Sequence, residues 1–150
     1  MARKETFEVT CSVSSAIQDG MTNLIELRDE ASEIVDGAAG TGREHTGFVQ
    51  AMAENVDHLE FSEIDVVSEM DELECVCAQF LPKRSWGKTH MSRARRCANA
   101  LNMLEAAMDV LQREADASED DDAHLFEDEI AALSELIDQA SSCDWPSMRG

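Results

Sequence analysis

The chain has 150 residues, of which 43% are hydrophobic, and its 32 acidic and 12 basic side chains give a formal net charge of −20. That length suits one domain with a real core, and the apolar fraction argues against a disordered chain. No apolar run approaches the ~20 residues of a membrane span, and no secretory h-region follows the first four residues. We therefore expect one soluble, intracellular domain whose five cysteines are reduced.

Residues 7–13 alternate apolar and polar side chains, and this period of two predicts a short strand. No second strand is evident, and a lone strand leaves its backbone hydrogen bonds unsatisfied. Three alternatives stay open for this segment. It pairs with its copy in a dimer, adds to a partner's sheet, or is the frayed start of a helix.

The rest of the chain repeats its apolar residues at three- and four-residue steps, which predicts amphipathic helices. Gly37 is placed to end the first helix, Thr46 to cap the second, and Pro82 to stop the third. The fourth begins near Thr89 or Ser92. The predicted helices span about residues 14–36, 46–59, 62–80, 89–116 and the apolar part of 117–141.

The expected fold is an all-α bundle of about five helices in a single domain, with the short N-terminal strand as its one extended element. Its parts are an arm or strand at 1–13, a helical core at 14–116 with a basic connector at 82–92, an acidic link and last helix at 117–141, and a tail at 142–150.

Charge is distributed very unevenly along the chain. The thirty residues from Cys75 to Leu104 contain six cations and no acid, whereas the other 120 carry six cations and all 32 acids. Three arginines fall near the start of the fourth helix, where the helix dipole disfavours cations by roughly 0.3–1 kcal/mol each. We call the predicted basic contacts the basic segment: Lys83, Arg84, Trp86, Lys88, Arg93, Arg95 and Arg96.

Two interpretations of the basic segment stay open. Arginines beside the free N–H groups of a helix start favour phosphate, and Trp86 could stack on a base. Alternatively, these cations neutralise acidic faces of the protein's own helices.

Acidic side chains form two predicted stripes, in which neighbours three or four residues apart lie ~5–6 Å from each other. A rigid helical surface with such spacing can imitate a nucleic acid; the alternatives are a solvated helix face and adaptation to salt. The predicted acidic contacts are Glu26, Asp29, Glu30, Glu33 and Asp36 on the first helix, and Glu63, Glu69 and Glu72 on the third.

Signals for chemistry are thin. A zinc site at Cys75, Cys77, His90 and Cys97 is disfavoured because the first two, two residues apart on a predicted helix, would point about 200° apart. The glycines at 40 and 42 lack the order of a phosphate loop, and no catalytic motif is present. We predict a protein that is not an enzyme and holds no cofactor or metal.

Several stretches together resemble an uncharacterised family of small acidic helical proteins of bacteriophage and prophage genomes. They are Ser14-Ser15-Ala16-Ile17, Leu27-Arg28-Asp29-Glu30, Gly40-Thr41-Gly42, Pro82-Lys83-Arg84, Ser92-Arg93-Ala94-Arg95-Arg96 and the Ala-rich run from Asn99 to Asp109. The resemblance covers about the first three quarters of the chain. It implies a mobile-element origin, and it carries over no functional residues because the family has no assigned activity.

The function expected from these observations is a non-enzymatic charged-surface binding protein of phage-like origin. It would engage and block or adapt a host or viral protein complex, as a nucleic-acid mimic or inhibitor does. The alternatives are nucleic-acid binding by the basic segment, and a virion structural or assembly part that forms homo-oligomers. The expected location is the host-cell cytoplasm or the virion, with no membrane partner.

Overall fold

The computed structural model describes residues 6–61, 64, 66–81, 83–85, 88–117 and 126–146, without the side chains of 44 and 83–90. Within these residues the chain forms four α-helices and four strands. The helices are α1 Val13–Ala38, α2 Gly47–His58, α3 Arg93–Ala117 and α4 Glu127–Ser141. The strands are β1 Thr6–Ser12, β2 Glu74–Phe80, β3 Lys83–Ser85 and β4 Lys88–His90. The prediction of a mostly helical protein is confirmed, but the described residues hold four helices rather than five.

Helix α1 begins and ends close to its predicted bounds because the signals are local. The Ser12 side chain accepts a hydrogen bond from the Ser15 N–H at 3.1 Å, which caps the helix. The helix continues one residue past Gly37, and Gly40 and Gly42 adopt the positive φ angles of the following loop. Thr46 caps α2, as predicted, by accepting from the Val49 N–H at 3.3 Å.

Helices α1 and α3 form the main packing interface of the core. They approach closely at Gly20, where an added Cβ would lie 2.9 Å from Leu104 Cγ and 3.2 Å from the Ala100 carbonyl oxygen. Leu24 and Leu27 on α1, like Leu104 on α3, are fully buried in the same cluster. The absence of a side chain at residue 20 therefore sets the distance between the two helices.

The prediction of a helix over residues 62–80 is wrong. This segment contains a 3₁₀-helix at Ser68–Glu72 and then β2, which pairs antiparallel with β1 in the register Cys11↔Cys75. Cys75, Cys77 and Gln79 are buried while Glu74, Val76 and Ala78 are exposed, so the pattern has a period of two. The predicted N-terminal strand therefore pairs with β2 of the same chain, a partner that the sequence did not reveal. The capping residues predicted at 62 and 65 lie outside the described residues.

Helix α3 contacts the edge of β2 that does not face β1. Asn99 Oδ1 accepts a hydrogen bond from the Phe80 N–H at 2.7 Å, and Asn102 Nδ2 donates to the Ala78 carbonyl at 2.9 Å. These two amides hydrogen-bond backbone groups at the open edge of β2, as a third strand would. The small sheet is thereby held against the helical core.

The C-terminal region returns to α2. Asn55, which is 1% exposed, donates from Nδ2 to the Asp144 carbonyl at 2.6 Å and accepts from the Asp144 N–H at 3.0 Å. This pair of bonds ties residues 143–146 to α2 and completes the core beside α4. The predicted acidic link at 118–122 and the last four residues of the tail lie outside the described residues.

Candidate functional site

The basic segment meets the acidic side of α1 at the start of α3. Ser92 Oγ accepts from the Arg95 N–H at 3.2 Å and so caps this helix, whose first turn carries three arginines. Arg96 donates to Glu30 through both terminal nitrogens, with Nη1–Oε2 at 2.5 Å and Nη2–Oε1 at 2.7 Å. Arg93 Nε lies 3.5 Å from Glu30 Oε1. One carboxylate of α1 therefore engages two of the three arginines.

Glu30 and Arg96 each favour the charged form of the other. The hydrogen bond from Arg96 lowers the pKa of Glu30 against the opposing effect of burial, and the charges of Arg96 and Arg93 lower it further. The same hydrogen bond raises the pKa of Arg96. A carboxylate near the start of α3 also offsets the unfavourable field of the helix dipole on those arginines. For Arg93 and Arg96 the structure thus shows contact with the protein's own acid.

The other members of the basic segment are placed differently. The Arg95 guanidinium carbon lies 4.9 Å from the centre of the Phe80 ring, in a cation–π arrangement. Residues 83–85 and 88–90 form an antiparallel β-hairpin in which Lys83 pairs with His90. The side chains of Lys83, Arg84 and Lys88, and the whole of Trp86, lie outside the described residues.

An exposed row of carboxylates runs along α1, and we call it the acidic face: Glu26, Asp29, Glu33 and Asp36. Asp29 lies 3.9 Å from Arg28 Nε but is 68% exposed, so this contact contributes little. Among the described residues, the other three members make no ion pair. Glu30 is half-buried and belongs to the arginine cluster instead.

Sequence reasoning missed one member of this row. Asp19 is exposed on α1, seven residues before Glu26, and seven residues are close to two helical turns. The same heptad step leads from Glu26 to Glu33, so this spacing was the signal that could have found it. The acidic row therefore extends over more of α1 than was predicted.

The second predicted acidic stripe does not exist as a helix face. Glu69 and Glu72 are exposed on the 3₁₀-helix, and Glu74 lies on β2. Asp71, between them, accepts a short hydrogen bond from the Ser14 hydroxyl. Glu63 lies outside the described residues.

The cysteine geometry differs from the helical expectation. Because residues 75 and 77 lie on a strand, both side chains point to the same face of the sheet, where Cys11 also lies. The Sγ atoms of Cys11 and Cys75 are 3.9 Å apart, and Cys77 is 4% exposed. Among the described residues, no group of three or more His, Cys, Asp or Glu side chains is arranged to hold a metal ion.

One cleft of about 430 Å³ lies between the end of α2 and α4. Its lining includes the carboxylates of Glu60 and Glu135, the Gln139 amide and the Phe61 ring. None of the predicted basic or acidic contacts lines this cleft.

No α-helix in the described part of the chain is both long and apolar enough to cross a bilayer. That the protein is not an enzyme stays a prediction.

Comparison of the chain with protein-family models, with curated proteins and with solved structures finds no match in any of the three.

Proposed function

We propose that the protein is a non-enzymatic binding protein whose acidic face engages a cationic surface of a host or viral protein complex and so blocks or adapts that complex. The observation that supports this proposal is the unequal use of the carboxylates on α1. Glu30 engages Arg93 and Arg96, whereas the acidic face lies exposed beside it. Among the described residues, no cation of another element forms an ion pair with that face, although Glu26 lies within reach of the charge of Arg96.

The acidic face holds its charges in a fixed geometry, and the net charge of the chain adds a long-range field. From residue 26 to residue 36 the acidic face spans ten residue steps of one rigid helix, a length of about 15 Å. Burial of the opposite side of α1, including Leu24 and Leu27, holds these carboxylates in fixed relative positions. A net charge of −20 adds a long-range field that attracts a cationic partner and weakens as salt rises.

The test is affinity capture from cells at low and moderate salt, using the wild type and a variant with E26Q, D29N, E33Q and D36N. We expect the wild type to retain a basic protein partner that the variant loses. The matched control neutralises four exposed acids elsewhere, in the variant E105Q, E114Q, D128N and D138N. Equal loss in both variants would contradict a role for the acidic face and leave only net charge.

A second candidate function is nucleic-acid binding, and the hairpin β3–β4 favours it. A two-stranded ribbon has the size that the DNA major groove admits, and this one carries Lys83, Arg84 and Lys88. Arg93 and Arg96 are less suited to phosphate than the sequence predicted, because both pair with the Glu30 carboxylate, whose negative charge would repel a phosphate.

Fluorescence anisotropy with short single- and double-stranded DNA at several salt concentrations separates the two functions. Phosphate binding predicts a linear fall of log affinity with log salt, and the K83A, R84A and K88A variant should reduce that slope by about 2–3. The control is R43A with R113A, since both arginines are exposed and lie outside the hairpin. No complex at low salt would exclude this candidate.

The third alternative is a virion structural part, and the pairing of β1 removes one of the reasons for it. It relied on a strand that seeks a partner, and β1 is paired with β2 inside the chain. Size by light scattering over a range of concentrations measures whether ordered assembly occurs. We also propose the mobile-element origin that the resemblance implies, and a location in the host-cell cytoplasm or the virion.

A further inference from the structure

Three thiols meet on the inner face of the β1–β2 sheet. Cys11 lies directly opposite Cys75 in the strand register, and their Sγ atoms are 3.9 Å apart. Cys75 and Cys77 are 3% and 4% exposed, whereas Cys11 is half-buried. The pair therefore combines one sulfur that a small reagent can reach with a second sulfur already in contact with it.

The strand register gives the backbone geometry of this pair. The Val13 N–H donates to the Leu73 carbonyl at 2.8 Å, whereas the Phe80 N–H faces Asn99 at the other edge of β2. The backbone groups of the odd-numbered residues of β2 therefore face β1, and Cys11 and Cys75 are a hydrogen-bonded pair. Their Cα atoms are then about 5.5 Å apart. This lies inside the range of about 4.4–6.8 Å that disulfides require.

We propose that Cys11 and Cys75 are a site of reversible thiol oxidation, at which a peroxide closes a disulfide between β1 and β2. Cys11, as the thiolate, attacks one peroxide oxygen; the O–O bond breaks, and the departing oxygen takes up a proton. Cys11 is left as a sulfenic acid. The Cys75 sulfur then attacks the Cys11 sulfur and displaces hydroxide, which leaves as water with the Cys75 proton. With hydrogen peroxide, two thiols give one disulfide and two waters.

Burial of Cys75 limits the rate at which the disulfide closes, and access to Cys11 permits its reduction. Burial raises the pKa of Cys75 to about 12, so little thiolate is available for the second step at neutral pH, and closure should accelerate as pH rises. Because Cys11 is half-buried, a small thiol can reach the closed bond at this sulfur and reverse it by thiol–disulfide exchange. The closed bond would tie β1 to β2 across a loop that contains α1 and α2.

The experiment treats the full-length protein with hydrogen peroxide, blocks the remaining thiols with N-ethylmaleimide, and digests with trypsin without reduction. We expect an intact mass lighter by two hydrogen atoms before labelling, and a cross-link between peptides 5–28 and 44–83. Dithiothreitol should restore the original mass. Closure should be faster at about pH 9 than at about pH 7.

Because peptide 44–83 contains both Cys75 and Cys77, single variants assign the bond. C11S should abolish the cross-link and C77S should retain it; C77S is the matched control because that thiol lies on the same face and is equally buried. Circular dichroism checks that each variant is folded, and C11S changes only a half-buried residue. A cross-link that is absent in the wild type, links two molecules, survives in C75S, or resists dithiothreitol would overturn the proposal.

Discussion

Arg96 and Glu30 form a two-point ion pair that joins the first turn of α3 to the middle of α1, with donor–acceptor distances of 2.5 and 2.7 Å. The two residues are 66 positions apart in the chain. Their side chains are 30% and 34% exposed, so water screens the pair only in part. This contact fixes both how the helices meet and which cations stay available to a partner.

A double-mutant cycle with R96Q and E30Q should give a coupling free energy of about 1 kcal/mol, because the geometry is bidentate and the pair is partly shielded. The measurement is the free energy of unfolding in urea. The control is the cycle for Arg113 and Asp109, whose closest atoms are 2.7 Å apart but whose side chains are 74% and 60% exposed. That cycle should give about 0.3 kcal/mol. A coupling at Glu30 no larger than the control would show that the shielding is ineffective.

The same ion pair makes stability depend on pH. Arg96 holds the folded-state pKa of Glu30 below its ordinary value of 4.5, so the unfolded chain binds this proton more readily. The stabilisation is complete above about pH 4.5 and is lost as pH falls through the lowered folded-state pKa. E30Q should therefore be less stable than the wild type at about pH 7, and the difference should shrink below about pH 4.5.

Urea midpoints measured between about pH 7 and about pH 3 test this dependence. E33Q serves as the control, because Glu33 is exposed on the same helix and belongs to the acidic face. Its difference from the wild type should stay small over the same range. A difference for E30Q that grows as the pH falls would contradict the assigned sign.

Gly20 and Gly37 lie on the same helix and should respond oppositely to alanine. A Cβ at Gly20 would crowd the buried Leu104 and the Ala100 carbonyl, so we expect G20A to lose about 1–2 kcal/mol of unfolding free energy. Gly37 is exposed with nothing within 4 Å of an added Cβ, so G37A should gain about 0.5–1 kcal/mol. Thermal unfolding of both variants measures these effects. In an L104A background, G20A should cost less; an unchanged cost would rule out the helix crossing as its cause.

The amide of Asn99 should matter far more than that of Asn102, although both bind the edge of β2. N99A removes the 2.7 Å acceptor of the Phe80 N–H at a site that is 7% exposed, and should cost about 1–3 kcal/mol. N102A leaves the Ala78 carbonyl where water can replace the lost donor, and should cost about 0.5 kcal/mol. Urea unfolding of both variants checks the ranking. Equal costs would indicate that the edge at Phe80 is open to water.

The two elements that sequence reasoning described best are those whose signals are local. The Thr46 cap acts over three residues, and the apolar spacing of α1 is repeated over seven turns, so both were predicted nearly as observed. Strand β2 was missed because its partner β1 is more than sixty residues away, and because the three-residue step from Cys77 to Phe80 fits a helix although these residues lie on opposite faces of the strand.

The candidate site divides in the same way. Exposure of the acidic face follows from its position opposite the apolar stripe of α1, and the sequence contains that information. The choice of Glu30 as the partner of Arg93 and Arg96 depends on where α1 and α3 cross. Gly20 permits that crossing, but no local sequence pattern predicts where the two helices cross.

The anchor between Asn55 and Asp144 should control access to Cys143. This thiol lies next to Asp144, and burial raises its pKa to about 12. N55A removes two hydrogen bonds to the Asp144 backbone, together worth ~1.4 kcal/mol, so local opening should become about ten-fold more frequent. Because Cys143 is half-buried, part of its labelling needs no opening, so its reaction with N-ethylmaleimide should accelerate by up to this factor.

Two controls separate local opening from general unfolding. Trypsin places Cys143 in peptide 114–149 and Cys97 in peptide 97–113, so both are followed in one sample. Cys97 is 4% exposed in the core, and its labelling should stay slow if N55A releases the C-terminal residues alone. S142A removes a local hydroxyl bond to the Asp138 carbonyl and should leave both rates unchanged. Parallel acceleration at Cys97 would mean that Asn55 supports the whole core, because labelling of a buried thiol requires the surrounding helices to separate.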